Sequence, residues 1–232
     1  AKDLLAGEHG TIMVLCGDTP LLTAELLARF HEEHVQAGAK ATVLTAIMPN
    51  AKGYGRIVRR ENGEVLKIVE HKDAAPEELE IHEVNAGIYC FDADALFSAL
   101  AKVTNNNAQG EYYLPDVLSI LRDAGEKIWA VVADNYECTL GINSRSQLAV
   151  AERILRKRKV EELMADGVTI IDPKTTFVDA DVRVGMDTII YPFTLLEGDT
   201  VIGEDCCIGP HVRFQNVVVG DGVKAHYTYA HD

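Results

Sequence analysis

From Val178 to Phe214 every sixth residue is apolar: Val178, Val184, Ile190, Leu196, Ile202, Ile208 and Phe214. Gly185, Gly203 and Gly209 directly follow three of them. Four positions after each apolar residue comes a small or β-branched one: Val182, Thr188, Thr194, Thr200, Cys206, Val212 and Val218. An unbroken hexapeptide period specifies a parallel β-helix, in which each hexad forms one face of a triangular coil and its apolar residue points inward and stacks. At three hexads per turn the run predicts a little over two coils. The register slips after Phe214, where Val219-Gly220 arrives one residue early.

Ahead of the repeats the pattern is that of an α/β domain. Ile12-Met13-Val14-Leu15 reads as a buried strand that runs into Gly17-Asp18-Thr19-Pro20. Thr23 has the side chain of an N-cap, and the helix it starts, Ala24 to Gln36, carries Leu26, Leu27 and Phe30 on one side and stops at Gly38. Ala41 to Ile47 is a β-branched strand. Asn62-Gly63 joins two extended runs, Val58 to Arg60 and Val65 to Val69, as a hairpin, which Glu70-His71-Lys72-Asp73 closes. Val84 to Phe91 is a further strand. Helices are predicted over 93–100 and 112–123, with a strand over 128–132. The alternation predicts a largely parallel sheet. Thr104 to Tyr113, with three asparagines and a glycine, reads as a surface loop, and Lys2 to Leu5 as part of a helix.

Asn143 or Ser144 caps a long helix that ends near Asp166, with Gly167 as its stop. Its Arg153, Arg156, Lys157, Arg158 and Lys159 fit a solvated arm between two domains. The expected division is 1–143 for the α/β domain, 144–167 for the arm and 168–232 for the β-helix.

With 22 basic and 36 acidic residues the formal charge is −14. That argues against a general nucleic-acid or anionic-membrane binder, both of which use a basic surface. A phosphate ligand then has to be held locally, by a metal ion or by backbone N–H groups. The five cysteines lack zinc spacing, and Cys16 and Cys90 fall within apolar strand patterns, so reduced core thiols in a cytoplasmic protein are expected. No signal peptide or membrane-length apolar run is present in the sequence.

A strand ending in Gly-Asp sets a carboxylate at the carboxyl edge of a sheet, where open α/β folds bind ligands. By its local sequence alone an Asp such as Asp18 is more often a turn or cap residue. Glu70 reads as a strand-end charge, and Asn85 and Asn143 as caps.

Taken together, Leu15 to Leu22 (LCGDTPLL), Gly53 to Val58 (GYGRIV), Ile68 to Ala74 (IVEHKDA), Glu83 to Tyr89 (EVNAGIY), Val103 to Leu114 and Gly141 to Arg145 (GINSR) carry a specific resemblance. Over essentially its whole length the chain resembles the bacterial bifunctional N-acetylglucosamine-1-phosphate uridyltransferase/glucosamine-1-phosphate acetyltransferases. The resemblance implies a Rossmann-like nucleotidyltransferase sheet, a helical arm and a left-handed parallel β-helix of hexapeptide repeats. It implies uridylyl transfer from UTP to N-acetylglucosamine-1-phosphate, giving UDP-N-acetylglucosamine and pyrophosphate for cell-wall precursor synthesis. Asp18 and Asn143 would bind the catalytic Mg²⁺, and Gly55, Glu70 and Asn85 would contact the N-acetylglucosamine. A homotrimer is implied, and acetyl-CoA would be a substrate of the full-length parent only.

The chain departs from the family at both ends. The glycine-rich nucleotide loop would precede Ala1, and most of the β-helix, with the acetyl-CoA site, would follow Asp232. The chain as given is therefore expected to be an incomplete, inactive piece of the enzyme. Two alternatives stand beside this: a non-catalytic sugar-nucleotide-binding or trimer-forming module, and another sugar-1-phosphate nucleotidyltransferase.

Overall fold

The computed structural model describes residues 5, 7, 9–105 and 110–232. The expectations for Lys2 to Leu4 and for Asn106 to Gln109 lie outside the described residues. The chain divides into two compact units, Ala1–Ile142 and Asn143–Asp232. No helix among the described residues is long and apolar enough to cross a membrane.

The first unit is built on a six-stranded sheet. Its strands are β1 (Thr11–Val14), β2 (Ala41–Ile47), β3 (Arg56–Arg59), β4 (Val65–Val69), β5 (Glu83–Asp92) and β6 (Ile128–Val132). The order is β4-β3-β5-β2-β6, with β1 also paired to β5. Among the described residues of this sheet only β2 and β6 pair in parallel; β1–β5, β2–β5, β3–β5 and β3–β4 are antiparallel. The sheet is therefore mixed, not largely parallel. The cause is β5, which inserts in reverse between β1 and β2, so that strands sharing a direction are seldom neighbours. Period-two patterning marks a strand without saying which way its neighbour runs.

Helices cover both faces. Helix α1 (Ala24–Ala37) is capped as expected: the Thr23 hydroxyl accepts the Leu26 N–H at 3.3 Å, and Gly38 ends it in the left-handed region at φ 58°. Its Leu26 and Phe30 pack on Leu44, Ile88, Cys90 and Val131. A short α2 (Pro76–Leu79) follows β4. On the other face α3 (Ala93–Leu100) and α4 (Asp116–Asp123) bury Leu96, Val117, Leu118 and Leu121 against Val43, Ile57, Tyr89 and Phe91. Helix α4 begins after Pro115 and not at Tyr112, because the proline ring disfavours helical backbone in the residue before it.

The second unit opens with α5 (Arg145–Ala165), whose first turn is held by the Ser144 hydroxyl accepting the Gln147 N–H at 3.2 Å. Eleven short strands follow, β7 (Thr169–Ile170) to β17 (Tyr229–His231). They stack into three parallel sheets, two of four strands and one of three, which makes a parallel β-helix. Val178, Ile190, Leu196, Ile202, Ile208 and Phe214 are buried in one cluster, with Val184 half-buried against it. The second row is buried too from Val182 to Val212, with Val218 exposed, and its hydroxyls cap the corners. Thr188 donates to the Gly203 carbonyl at 2.8 Å, and Thr200 to that of Glu197 at 2.7 Å.

The strands extend to nearly four coils, more than the hexad count predicts. Leu196 stacks on Phe214, 18 residues on, but Phe214 stacks on Ala230, only 16 residues on. Corners absorb the slip, so coils continue where the strict period has ended. Helix α5 is also less solvated than an arm would be. Val160 and Leu163 join the β-helix cluster, and the Arg156 guanidinium lies 4.0 Å from the centre of the Phe177 ring.

Candidate functional site

Strands β1 and β3 lie end to end along one edge of β5. The last pair of β1 is Val14 with Tyr89, and the first of β3 is Arg56 with Val84. Between them the Asn85 N–H donates to the Gly55 carbonyl at 2.9 Å. On the other edge of β5, Leu44 pairs with Ile88 but Thr45 with Asn85, so Ala86 and Gly87 bulge out of register. Gly87 takes φ 74°, a conformation open to glycine at little cost. The result is a break in the sheet beside a bulge.

Three of the expected site residues meet at this break. Gly55 leads into β3, Asn85 flanks the bulge, and Glu70 follows the last residue of β4. A β-carbon on Gly55 would lie 3.1 Å from Oε1 of Glu70 and 3.1 Å from Cγ2 of Ile68. Beside Glu70 opens a cavity of about 780 Å³, whose lining includes Gly53, His71, Lys72, Tyr113 and Arg122.

Asp18 sits in the turn after β1. The Thr19 hydroxyl donates to the Cys16 carbonyl at 2.8 Å, and the Ile142 N–H donates to the Asp18 carbonyl at 2.9 Å. The Asp18 side chain is exposed and makes no hydrogen bond or ion pair among the described residues. Asn143 is the first residue of the second unit. Its backbone N–H donates to Gln147 Oε1 at 2.8 Å, and its amide side chain is exposed. No group of three His, Cys, Asp or Glu side chains with metal-ligand geometry occurs among the described residues. A carboxylate and an amide oxygen are hard donors that suit a cation keeping most of its shell for water and phosphate, as Mg²⁺ does.

The structure adds residues that sequence reasoning missed. The Asn85 side-chain Oδ1 accepts from the Gly87 N–H at 2.9 Å, and its Nδ2 donates to the Tyr89 hydroxyl at 2.9 Å. One Asn85 N–H is left over for a ligand. Burial pushes the Tyr89 hydroxyl up to about 12, so it stays protonated. Cys16 corrects an expectation. It is exposed, beyond the end of β1, and its thiol donates to the Gly87 carbonyl at 3.2 Å. Partial burial and the nearby Asp18 charge raise its pKa. Cys90 is a core thiol, as expected. Asn85, Gly87 and Tyr89 alternate along one strand, a spacing that could have shown they share a face.

Comparison with known proteins gives two family matches. Residues 1–141 match the nucleotidyl transferase family, and residues 181–216 match bacterial transferase hexapeptide repeats. Among individual relatives, the chain is 55% identical over 224 residues to the bifunctional protein GlmU of Geobacillus thermodenitrificans, covering 97% of this chain and 49% of the relative. It is 54% identical over 223 residues to the same-named protein of Shouchella clausii, covering 96% and 49%. It is 54% identical over 221 residues to that of an Exiguobacterium species, covering 95% and 49%. The chain spans about half the length of the curated relatives it matches.

Proposed function

This chain belongs to the nucleotidyl transferase family, and from that premise we propose that it is part of a uridylyltransferase. The enzyme would join UMP from UTP to N-acetylglucosamine-1-phosphate, releasing pyrophosphate. The observation that carries the reading is the convergence of Gly55, Glu70 and Asn85 on the break in the sheet, next to the exit of β1 that bears Asp18. Gly55, having no side chain, leaves the Glu70 carboxylate in place; that carboxylate accepts from the sugar hydroxyls, and the spare Asn85 N–H meets the acetamide carbonyl. Those contacts hold the sugar-phosphate oxygen in position to attack the α-phosphate.

Nucleotidyl transfer of this kind uses a divalent cation, and Mg²⁺ is the one we assign, held by Asp18 and Asn143. Bound there, it would neutralise the phosphates and favour an in-line geometry. The free carboxylate of Asp18 and the oxygen-only donor set support that assignment. The β-helix would begin the half that acetylates glucosamine-1-phosphate from acetyl-CoA in a full-length parent. Exposed Phe193, Val218, Tyr227 and Tyr229 on its surface support assembly of these coils, which we read as a trimer.

Calorimetric titration of the chain with N-acetylglucosamine-1-phosphate and glucose-1-phosphate tests the reading. Preferential binding of the acetamido sugar, lost in Asn85→Ala and Glu70→Ala, is expected. Equal binding of the two sugars, or indifference to both substitutions, would overturn it.

A further inference from the structure

Arg56 is only 3% exposed, yet its guanidinium pairs with no carboxylate among the described residues. One of its five N–H donors goes to the Tyr54 carbonyl, at 2.5 Å from Nη1. Its Nη2 stands 3.4 Å from Nδ1 of His71, a long contact. Its Nε is buried with no partner among the described residues. Arg59, three residues on in the same strand, shows what a satisfied guanidinium looks like here. Its Nε and Nη2 grip both Glu83 oxygens at 2.8 and 2.6 Å, and its Nη1 donates to the Gly63 carbonyl at 2.7 Å. A buried cation with unused donors is costly to keep unless something anionic completes it.

We propose that Arg56, with His71, is the receptor for a small oxyanion, at a site separate from the sugar and metal site. Alternation along β3 separates the two. Ile57 and the open side of Gly55 face the cluster under α3 and α4, so Arg56 points to the opposite face, in register with Val69 and Val84. The Nε and Nη2 of a guanidinium lie on one edge of its fork and bind two oxygens of a phosphate or a carboxylate side by side. Half-buried His71 stands beside the guanidinium and gives an ion its second partner, whereas the 780 Å³ cavity opens on the α4 side, the face of Ile57. The long Arg56–His71 contact is the one that an incoming oxygen replaces. Guanidinium and imidazole then share the ion.

The inference does not depend on the uridylyltransferase reading. Its test is calorimetric titration of the whole chain with inorganic phosphate, and separately with acetate. Saturable binding of phosphate is expected, abolished in Arg56→Met, weakened about tenfold or more in Arg56→Lys, which loses the two-point grip, and weakened in His71→Ala. Asp18→Asn should leave it unchanged. Acetate binding equal to phosphate would still support an oxyanion site and would assign it to carboxylates as well. No saturable binding of either ion by the folded chain would overturn the proposal, leaving Nε to a water molecule. Undiminished binding in Arg56→Lys and His71→Ala would do so too, and these variants serve if circular dichroism shows Arg56→Met unfolded. Loss of binding in Asp18→Asn but not in the Arg56 variants would move the ion to the sugar and metal site, which also overturns it.

Discussion

A β-carbon placed on Gly55 would stand 3.1 Å from Oε1 of Glu70. Gly55 leads into β3 and Glu70 follows β4, and the narrow space between them, too small for a methyl group without a shift, is kept open by the missing side chain. Gly55→Ala fills that space at an ordinary backbone conformation, so the carboxylate must shift by a few tenths of an ångström. Removing a glycine gains about as much as the crowding costs, and stability should change by no more than ~1 kcal/mol. Affinity for N-acetylglucosamine-1-phosphate should fall about tenfold or more. Paired denaturant melts and calorimetry separate the two effects.

Tyr89 and Cys90 make stability depend on alkaline pH. Burial raises both in the folded chain to about 12, against ordinary values of 10.0 and 9.0. For acids with a raised folded pKa, the unfolded chain loses protons first. Their contribution is therefore complete below pH 9 and is lost as the pH rises from there towards 12. For Tyr89 the effect is of the order of 2–3 kcal/mol. Denaturant melts between pH 8 and 11.5 should show a steeper fall in the native chain than in Tyr89→Phe. An unchanged slope would mean that the hydroxyl is not held neutral by burial.

The β-helix predicts a graded response among its glycines. A β-carbon on Gly185 would lie 2.6 Å from the backbone carbon of Gly203, and backbone cannot swing aside. Gly220 has nothing within 4 Å. Gly185→Ala should destabilise the second unit by about 2 kcal/mol or more, and Gly220→Ala by less than about 0.5 kcal/mol. Ile202→Asp, which buries an unpaired charge, should cost several kcal/mol, on the order of a buried polar group left unsatisfied. Thermal melts of the three variants give the ranking.

Metal binding is predicted to depend on Asp18. With UDP-N-acetylglucosamine present, Mn²⁺ used in place of Mg²⁺ should enhance water proton relaxation in the native chain. Asp18→Asn should weaken that binding about tenfold or more, because a neutral amide replaces the one carboxylate. Equal affinity in the variant would remove Asp18 from the metal site.

Much of this protein is written in local pattern. The hexad residues from Val178 to Phe214 set the β-helix because each coil repeats the same short-range geometry. Thr23 and Gly38 fix the ends of α1, and Asn62-Gly63 joins β3 to β4, for reasons of backbone conformation that act over a few residues. Tertiary structure alone decided that β5 runs backwards between β1 and β2, that Ala86 and Gly87 bulge, and that the break beside them gathers Gly55, Glu70 and Asn85. It also decided that Cys16 is exposed and that Arg56 is buried without a carboxylate among the described residues. Strand pairing and charge partnering join residues tens of positions apart, and no periodicity along the chain encodes which of them will meet.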